Sequence, residues 1–214
     1  MIAIVDVGTG NLRSVEKAFQ RLGRPARRTR DPQDLARATH LVLPGVGAFG
    51  DFMGALRAHG LEAPLRERVA SGVPLLGICV GMQALYQESE EFGRHAGLGL
   101  LAGRVVRFPA GALVVPHSGW NLVRATRDDP LLAAGAPEWF YFVHAYRVVE
   151  DDPGTALGRC EYGGEFTAAC RQGACWGVQF HPEKSQAAGL ALLGRFAGLP
   201  SPVAAGPGGE EVAA

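Results

Sequence analysis

The chain has 214 residues, 47% of them hydrophobic, and balances 21 Lys plus Arg against 21 Asp plus Glu. That length and apolar fraction describe one generous domain able to bury a core. Zero formal net charge with no basic stripe leaves no electrostatic footprint for nucleic acid. No segment approaches the roughly 18 apolar residues of a membrane span, and MIAIVDVGTGN lacks the charged start and long apolar run of a signal peptide.

Four cysteines, Cys79, Cys160, Cys170 and Cys175, are too few for a disulfide scaffold at this length. A reduced, cytoplasmic protein is expected. No second Cys/His pair accompanies Cys170 and Cys175 at zinc spacing, so no metal is expected.

In chain order, IAIVDV is a buried strand ending at Gly8. The stretch 11-NLRSVEKAFQRLG-23 places apolar residues at 12, 15, 18, 19 and 22, a helical stripe with Asn11 as N-cap and Gly23 as terminator. Then 40-HLVLPGVGAFG-50 is a strand running into a Gly-rich loop. Helices follow around 50–58 and 61–72, VPLLGIC is a buried strand, and 80-VGMQALYQE-88 starts a helix. Recurring strand, loop and helix predict parallel βαβ units.

The second half changes character. Strands are expected over 104–108, 112–125, 139–149, 155–160, 165–173 and 175–180, as an antiparallel or mixed extension of the sheet. A final helix over 185–197 packs back on it. The expectation is therefore a single α/β domain, residues 1–199, with a mostly parallel central sheet flanked by helices. The tail 200–214 is small, Pro/Gly-rich and acidic, which predicts disorder.

Gly77-Ile78-Cys79-Val80-Gly81 carries the sharpest chemical signal. G-x-C-x-G between a buried strand and a helix is the context of a nucleophile elbow. The sharp turn demands small neighbours and lifts the nucleophile above the sheet edge. A helix N-terminus there stabilises a thiolate, and the Val80 N–H can donate to an oxyanion. A buried cysteine between packing glycines is the competing reading of this pentapeptide alone.

A cysteine nucleophile needs a base. In 178-VQFHPEKS-185, His181 follows a strand, and Glu183 stands two residues on to orient and charge-stabilise the imidazole. His40 and His59 read as structural or surface residues; His117 and His144 are placed to line the same cleft. The loop 44-PGVGAFG-50 admits two readings. Its spacing only loosely matches a phosphate cradle and follows the wrong strand. An oxyanion loop, with the Val46 or Gly47 N–H facing Cys79, fits better.

PGVGAFG, GICVGMQ and FHPEKS together resemble the class I, triad-type glutamine amidotransferases, a flavodoxin-like α/β family. DVGTGNLRSV, PHSGWN and FYFVHAYR resemble the branch serving histidine biosynthesis. The resemblance spans residues 2–197. It implies Cys79 as nucleophile on glutamine, His181 as base and then acid, and Glu183 as its orienting carboxylate. It implies an oxyanion hole from the backbone N–H groups of Gly47 and Val80. Gln83, Glu91 and the backbone of His144, Ala145 and Tyr146 then match the glutamine-binding positions. Asn11, Trp120, Tyr141 and Lys184 match positions facing a cyclase partner in a heterodimer, to which ammonia is channelled. No cofactor is implied.

Two residues depart from the family pattern: Ala145 stands where a small hydroxyl residue is common, and Ser118 where a methionine is common. The resemblance also implies a resting oxyanion loop that partner and ligand complete, with Gly45 and Gly47 supplying the backbone freedom. A glutaminase of anthranilate or aminodeoxychorismate synthesis, or a stand-alone γ-glutamyl hydrolase, would share the triad; the branch-specific segments favour histidine biosynthesis.

Overall fold

The computed structural model describes residues 1–109, 111 and 113–203. The first half runs β1 (Ile2–Val5), α1 (Leu12–Arg21), β2 (Ala26–Thr29), α2 (Pro32–Arg37), β3 (His40–Gly45), α3 (Phe49–Ala58), α4 (Glu62–Ala70) and β4 (Leu75–Cys79). The second half runs α5 (Val80–Gln83), β5 (Glu88–Ser89), β6 (His95–Ala96), β7 (Gly103–Arg107), β8 (His117–Ala125), β9 (Glu138–His144), β10 (Tyr146–Glu150), β11 (Ala156–Glu161), β12 (Glu165–Gln172), β13 (Cys175–Val178) and α6 (Gln186–Ala197).

The main sheet has nine strands in the order β2-β1-β3-β4-β13-β12-β11-β8-β9. From β2 to β13 the junctions are parallel; from β13 to β9 they are antiparallel. This is the expected α/β sheet with its antiparallel extension. A second sheet, β10-β7-β5-β6, is an addition to that expectation. β1, β3 and β4 are buried along their whole length. Helices cover both faces of such strands, so IAIV and LLGIC read as continuous apolar runs rather than alternating ones.

Strand order reverses around β1, which has β2 on one side and β3 on the other. The crevice beyond the carboxyl ends of parallel strands at such a switch point is where α/β sheets build sites. Here those ends carry the 6–11 loop after β1, the 46–48 loop after β3, Cys79 at the end of β4, and segment 179–183 after β13. α6 locks the last of these. A Cβ on Gly189 would lie 1.9 Å from the Pro182 carbonyl oxygen, so only glycine lets α6 close on the turn that follows His181.

Several expectations change. α1 buries Leu12, Val15, Ala18 and Phe19 as its stripe predicts, and Gly23 stops it with a φ of +65°. Asn11, however, makes no side-chain capping bond. The helix expected from Val80 is four residues long; the chain then turns into β5, pairing into the second sheet. The strand expected over 139–149 is two strands, broken at Ala145, with β9 in the main sheet and β10 in the second. The strand expected from 112 begins at His117, after Pro116.

β2 and α2 are elements the apolar pattern misses. β2 is an edge strand in which only Thr29 is buried. α2 is announced instead by Asp31-Pro32, whose carboxylate accepts the Gln33 N–H at 2.8 Å. At the C-terminus, Val203 packs part-buried against the core. The rest of the tail expected to be disordered, residues 204–214, lies outside the described residues. Among the described residues no helix is long and apolar enough to cross a membrane.

Candidate active site

Cys79 adopts φ +55° and ψ −112° at the junction of β4 and α5. A non-glycine residue in this region is strained, and such strain is held only where surrounding structure enforces it. The flanking glycines are the enforcement. A Cβ on Gly77 would stand 2.6 Å from the Gly81 carbonyl oxygen, and one on Gly81 only 1.7 Å from that of Leu43. Both obstacles are backbone, so neither yields. G-x-C-x-G therefore encodes a turn pressed against β3, with its cysteine at the wall of a cavity.

That cavity, about 280 Å³, has a volume suited to an amino acid. Cys79, His181, Val46, Gly47 and Val80 line it, as do Gln83, Glu91, His144, Ala145 and Tyr146. Pro116 and Val143 complete its wall, and neither stands out in the sequence. Glu183 lies behind His181.

His181 Nδ1 bonds Glu183 Oε1 at 2.9 Å, with both side chains buried (2% and 1% exposed). Its Nε2 is buried and closes no well-formed hydrogen bond. Burial pulls the imidazole pKa down, but the neighbouring Cys79 sulfur and the hydrogen-bonded Glu183 carboxylate outweigh it and raise it to about 10. A protonated His181 at neutral pH is the partner a thiolate needs. Glu183 Oε1 also accepts from Asn11 Nδ2 at 3.2 Å. That bond explains why the Asn11 side chain makes no capping bond: its amide turns to this carboxylate.

The expected help from a helix dipole is small, because α5 is a single turn with few aligned peptides. Around the sulfur, Gln179 Nε2 lies 3.8 Å from Cys79 Sγ, and Sγ is 4.0 Å from the Val143 carbonyl oxygen. Gln179 escaped the sequence reading, although it stands two residues before His181 and so shares its side of an extended chain.

The oxyanion-loop residues divide by role. Gly45 pairs with Cys79 in the parallel register of β3 and β4. Its ideal Cβ would meet Phe52 at 2.6 Å and the Gly81 nitrogen at 2.8 Å, so it is a close-approach glycine and not the flexible one expected. Gly47 has φ +91° with nothing within 4 Å of an added Cβ, so conformation alone selects it.

Gln83 is less open to a ligand than expected. Its Nε2 donates to the Tyr146 carbonyl at 3.1 Å and to Gln179 Oε1 at 3.0 Å, leaving only its own carbonyl oxygen for a substrate. Glu91 Oε2 accepts the Phe49 N–H at 2.7 Å, bracing the first turn of α3. His144 Nδ1 bonds the Tyr146 carbonyl at 2.8 Å, and its Nε2 meets His117 Nδ1 at 3.0 Å. A carbonyl only accepts, so Nδ1 of His144 carries its proton and His117 Nδ1 donates to His144 Nε2. Burial lowers both, to about 3 for His144 and about 4 for His117. His117 thus supports the cavity wall through His144 without lining it.

Trp120, Tyr141 and Lys184 form one surface patch. The Trp120 and Tyr141 rings meet edge-on at 6.0 Å, and Lys184 Nζ lies 5.6 Å from the Tyr141 ring. Trp120 pairs with Tyr141 and Leu122 with Trp139 across β8 and β9, so all four project from one face. Trp120 is 44% and Trp139 55% exposed. Asn11 bonds Glu183, the residue before Lys184. Among the described residues no cluster of His, Cys, Asp or Glu is arranged to hold a metal ion.

A strained cysteine at a strand-to-helix turn, a buried His–Glu pair and an amino-acid-sized cavity at the sheet's carboxyl edge describe a triad glutaminase. The family model for glutamine amidotransferase class-I matches residues 3–196, and the chain belongs to that family. One solved structure, titled as a glutamine amidotransferase, superposes with a TM-score of 0.74 at 25% identity, covering 92% of this chain and 99% of that one. PurLQS from Thermotoga maritima shares the fold, with a TM-score of 0.73 at 21% identity over 91% of this chain and 96% of that one.

Closer relatives narrow the class. The chain is 49% identical over 213 residues to the imidazole glycerol phosphate synthase subunit HisH of Salinibacter ruber, covering 96% of this chain and 98% of that protein. It is 50% identical over 205 residues to HisH of Rhodopirellula baltica, covering 95% and 100%. Within the class I glutamine amidotransferases, the chain belongs to the HisH family.

Proposed function

We propose that this chain is the glutaminase subunit of imidazole glycerol phosphate synthase in histidine biosynthesis, acting in the cytoplasm as a heterodimer with the cyclase subunit. One observation carries the reading. The chain aligns nearly end to end with HisH proteins at about half identity, and its expected substrate-contacting residues ring one cavity around Cys79.

The chemistry follows from the site. The Cys79 thiolate attacks the side-chain carbonyl carbon of glutamine; a C–S bond forms and the carbonyl pair moves to oxygen. Backbone N–H groups of Val80 and of Val46 or Gly47 hold that oxyanion. The intermediate collapses, the C–N bond breaks, and the proton on His181 Nε2 passes to the leaving nitrogen as ammonia departs. Neutral His181 then takes a proton from water as the water attacks the γ-glutamyl thioester. The C–S bond breaks, releasing glutamate and restoring the thiolate–imidazolium pair. Glu183 holds the ring and balances its charge throughout. Gln83, Glu91 and the backbone from His144 to Tyr146 hold the substrate.

Ammonia passes to the cyclase, which yields imidazole glycerol phosphate and aminoimidazole carboxamide ribotide. The patch of Trp120, Tyr141 and Lys184 docks that partner, as its exposed aromatics suit. The test is glutamate release from glutamine by the chain alone and with the cyclase plus its nucleotide ligand. Weak activity alone with strong stimulation in the complex is expected; high activity indifferent to the cyclase points to an independent hydrolase or another pathway.

A further inference from the structure

One polar chain in the interior ends on the nucleophile. The Tyr146 carbonyl can only accept, so Gln83 must turn its amino group toward it at 3.1 Å. The same amino group donates its second hydrogen to Gln179 Oε1 at 3.0 Å. With its oxygen so engaged, Gln179 has one orientation left, and its Nε2 points at Cys79 Sγ, 3.8 Å away, within a sulfur acceptor's longer reach. The Tyr146 carbonyl is held in turn by His144 Nδ1, and His144 by His117, whose Nε2 lies 3.3 Å from Asn121 Nδ2. Every link has a determined direction.

Gln179 is wholly buried, and its backbone N–H is fixed to the Ala168 carbonyl at 2.8 Å. A buried primary amide costs free energy unless its groups are satisfied. Its oxygen is used by Gln83, and its nitrogen is directed at the sulfur. An N–H beside a thiolate forms a charge-assisted bond; the opposite amide orientation would set oxygen against negative sulfur.

We propose that Gln179 is a further catalytic residue, whose amide N–H stabilises the Cys79 thiolate in addition to the imidazolium, with Gln83 as the positioning residue that fixes its orientation. It supplies the donor that a single-turn α5 does not. The charged and titratable groups around Cys79 are His181 with Glu183 behind it, Glu91 across the cavity, and His144, which burial keeps neutral. Gln179 adds a neutral donor that works at any pH. Its consequence for turnover rests on the glutaminase reading above; its effect on the thiolate does not.

The test is alkylation of Cys79 by iodoacetamide from about pH 5 to about pH 10, read at the Cys79 peptide by mass spectrometry. The other cysteines are buried, with thiols that burial pushes up, so they react slowly. In Gln179→Met the half-maximal pH of alkylation is expected to rise by about one unit. Gln179→Glu, isosteric and still able to accept from Gln83, is expected to shift it further, and it carries the test if the methionine variant is unstable. An unchanged alkylation profile in a folded Gln179→Glu protein overturns the proposal. No glutamine or cyclase is used, so the result stands apart from whether the chain is a glutaminase. In turnover, both variants are expected to lose kcat with KM held within about twofold, because the lost interaction is with the nucleophile and not the substrate.

Discussion

Asn11 and Glu183, 172 positions apart, share one hydrogen bond of 3.2 Å at the carboxyl edge of the sheet. The oxygen that accepts from Asn11 is the one that holds His181 Nδ1. The second oxygen of Glu183 is buried without a partner. Orientation of this carboxylate therefore depends on two donors, one of them supplied by the loop that follows β1. The same loop reaches the oxyanion side, since an added Cβ on Gly10 would touch the Pro44 carbonyl at 3.4 Å. Asn11→Ala is expected to lower kcat about tenfold, with KM little changed. Asn11→Asp, which sets a like charge beside Glu183, is expected to lose more. Because the Asn11 side chain makes no capping bond to α1, a loss of stability large enough to explain the rate would count against this account; thermal unfolding of both variants checks it.

Cys79 stores strain that a smaller residue would release. Its φ of +55° suits glycine. Cys79→Gly is expected to be more stable than Cys79→Ala by about 1 kcal/mol, measured by denaturant unfolding. Both variants should lose glutamine-dependent activity while the complex retains ammonia-dependent cyclisation. Loss of the ammonia-dependent reaction as well would make the cysteine structural.

The two glycines nearest the chemistry should fail differently. A methyl group on Gly81 meets the Leu43 carbonyl oxygen at 1.7 Å, so Gly81→Ala is expected to cost more than about 3 kcal/mol or prevent folding. Gly47 has open space and only its φ of +91° to object. Gly47→Ala should cost about 1–2 kcal/mol yet depress glutaminase turnover strongly, because the loop conformation is what the oxyanion needs. Chemical denaturation beside steady-state rates separates the two cases.

These contrasts mark what the sequence makes legible. Fully buried strands write continuous apolar runs, so β1, β3 and β4 are plain, and a turn that excludes side chains writes its glycines around Cys79. His181 and Glu183 are two residues apart, so their pairing is local and readable. β2 is hidden because an edge strand carries ARRT with only Thr29 buried. The break at Ala145 is hidden because β9 and β10 are both rich in β-formers, though they serve different sheets. Asn11 reads as a cap because its competing partner is in another part of the chain. Gln179 is silent for the same reason: its bonds to Gln83 and Cys79 are tertiary.

The histidines give opposite pH signatures. His181 is raised to about 10, so its protonated form binds more strongly in the folded state. That stabilisation is complete below the unfolded histidine pKa, about 6.5, and is lost as pH rises toward about 10. The stability gap between wild type and His181→Gln should therefore narrow over that window. His117 and His144 are lowered to about 4 and about 3. Their neutral forms favour the fold above about 6.5, and stability falls as acidification protonates the unfolded chain first. Melting temperatures of wild type and His181→Gln across both ranges test both signs.

The face shared by β8 and β9 makes the last prediction. Strand alternation turns His117, Phe140, Phe142 and His144 inward and Trp120, Leu122, Trp139 and Tyr141 outward. The inward set supports the cavity wall; the outward set is an apolar surface across the outermost strand pair of the sheet, which is unusual without a partner. If the cyclase docks here, Trp120→Ala should raise the Kd of the complex by about tenfold or more, as large aromatics dominate such contacts. Stability of the free chain should move by less than about 0.5 kcal/mol, because the ring is substantially exposed. At saturating cyclase, stimulated glutaminase activity should return to near the wild-type value. Calorimetric titration measures the affinity, and unchanged binding by both Trp120→Ala and Trp139→Ala would move the docking surface elsewhere on the molecule.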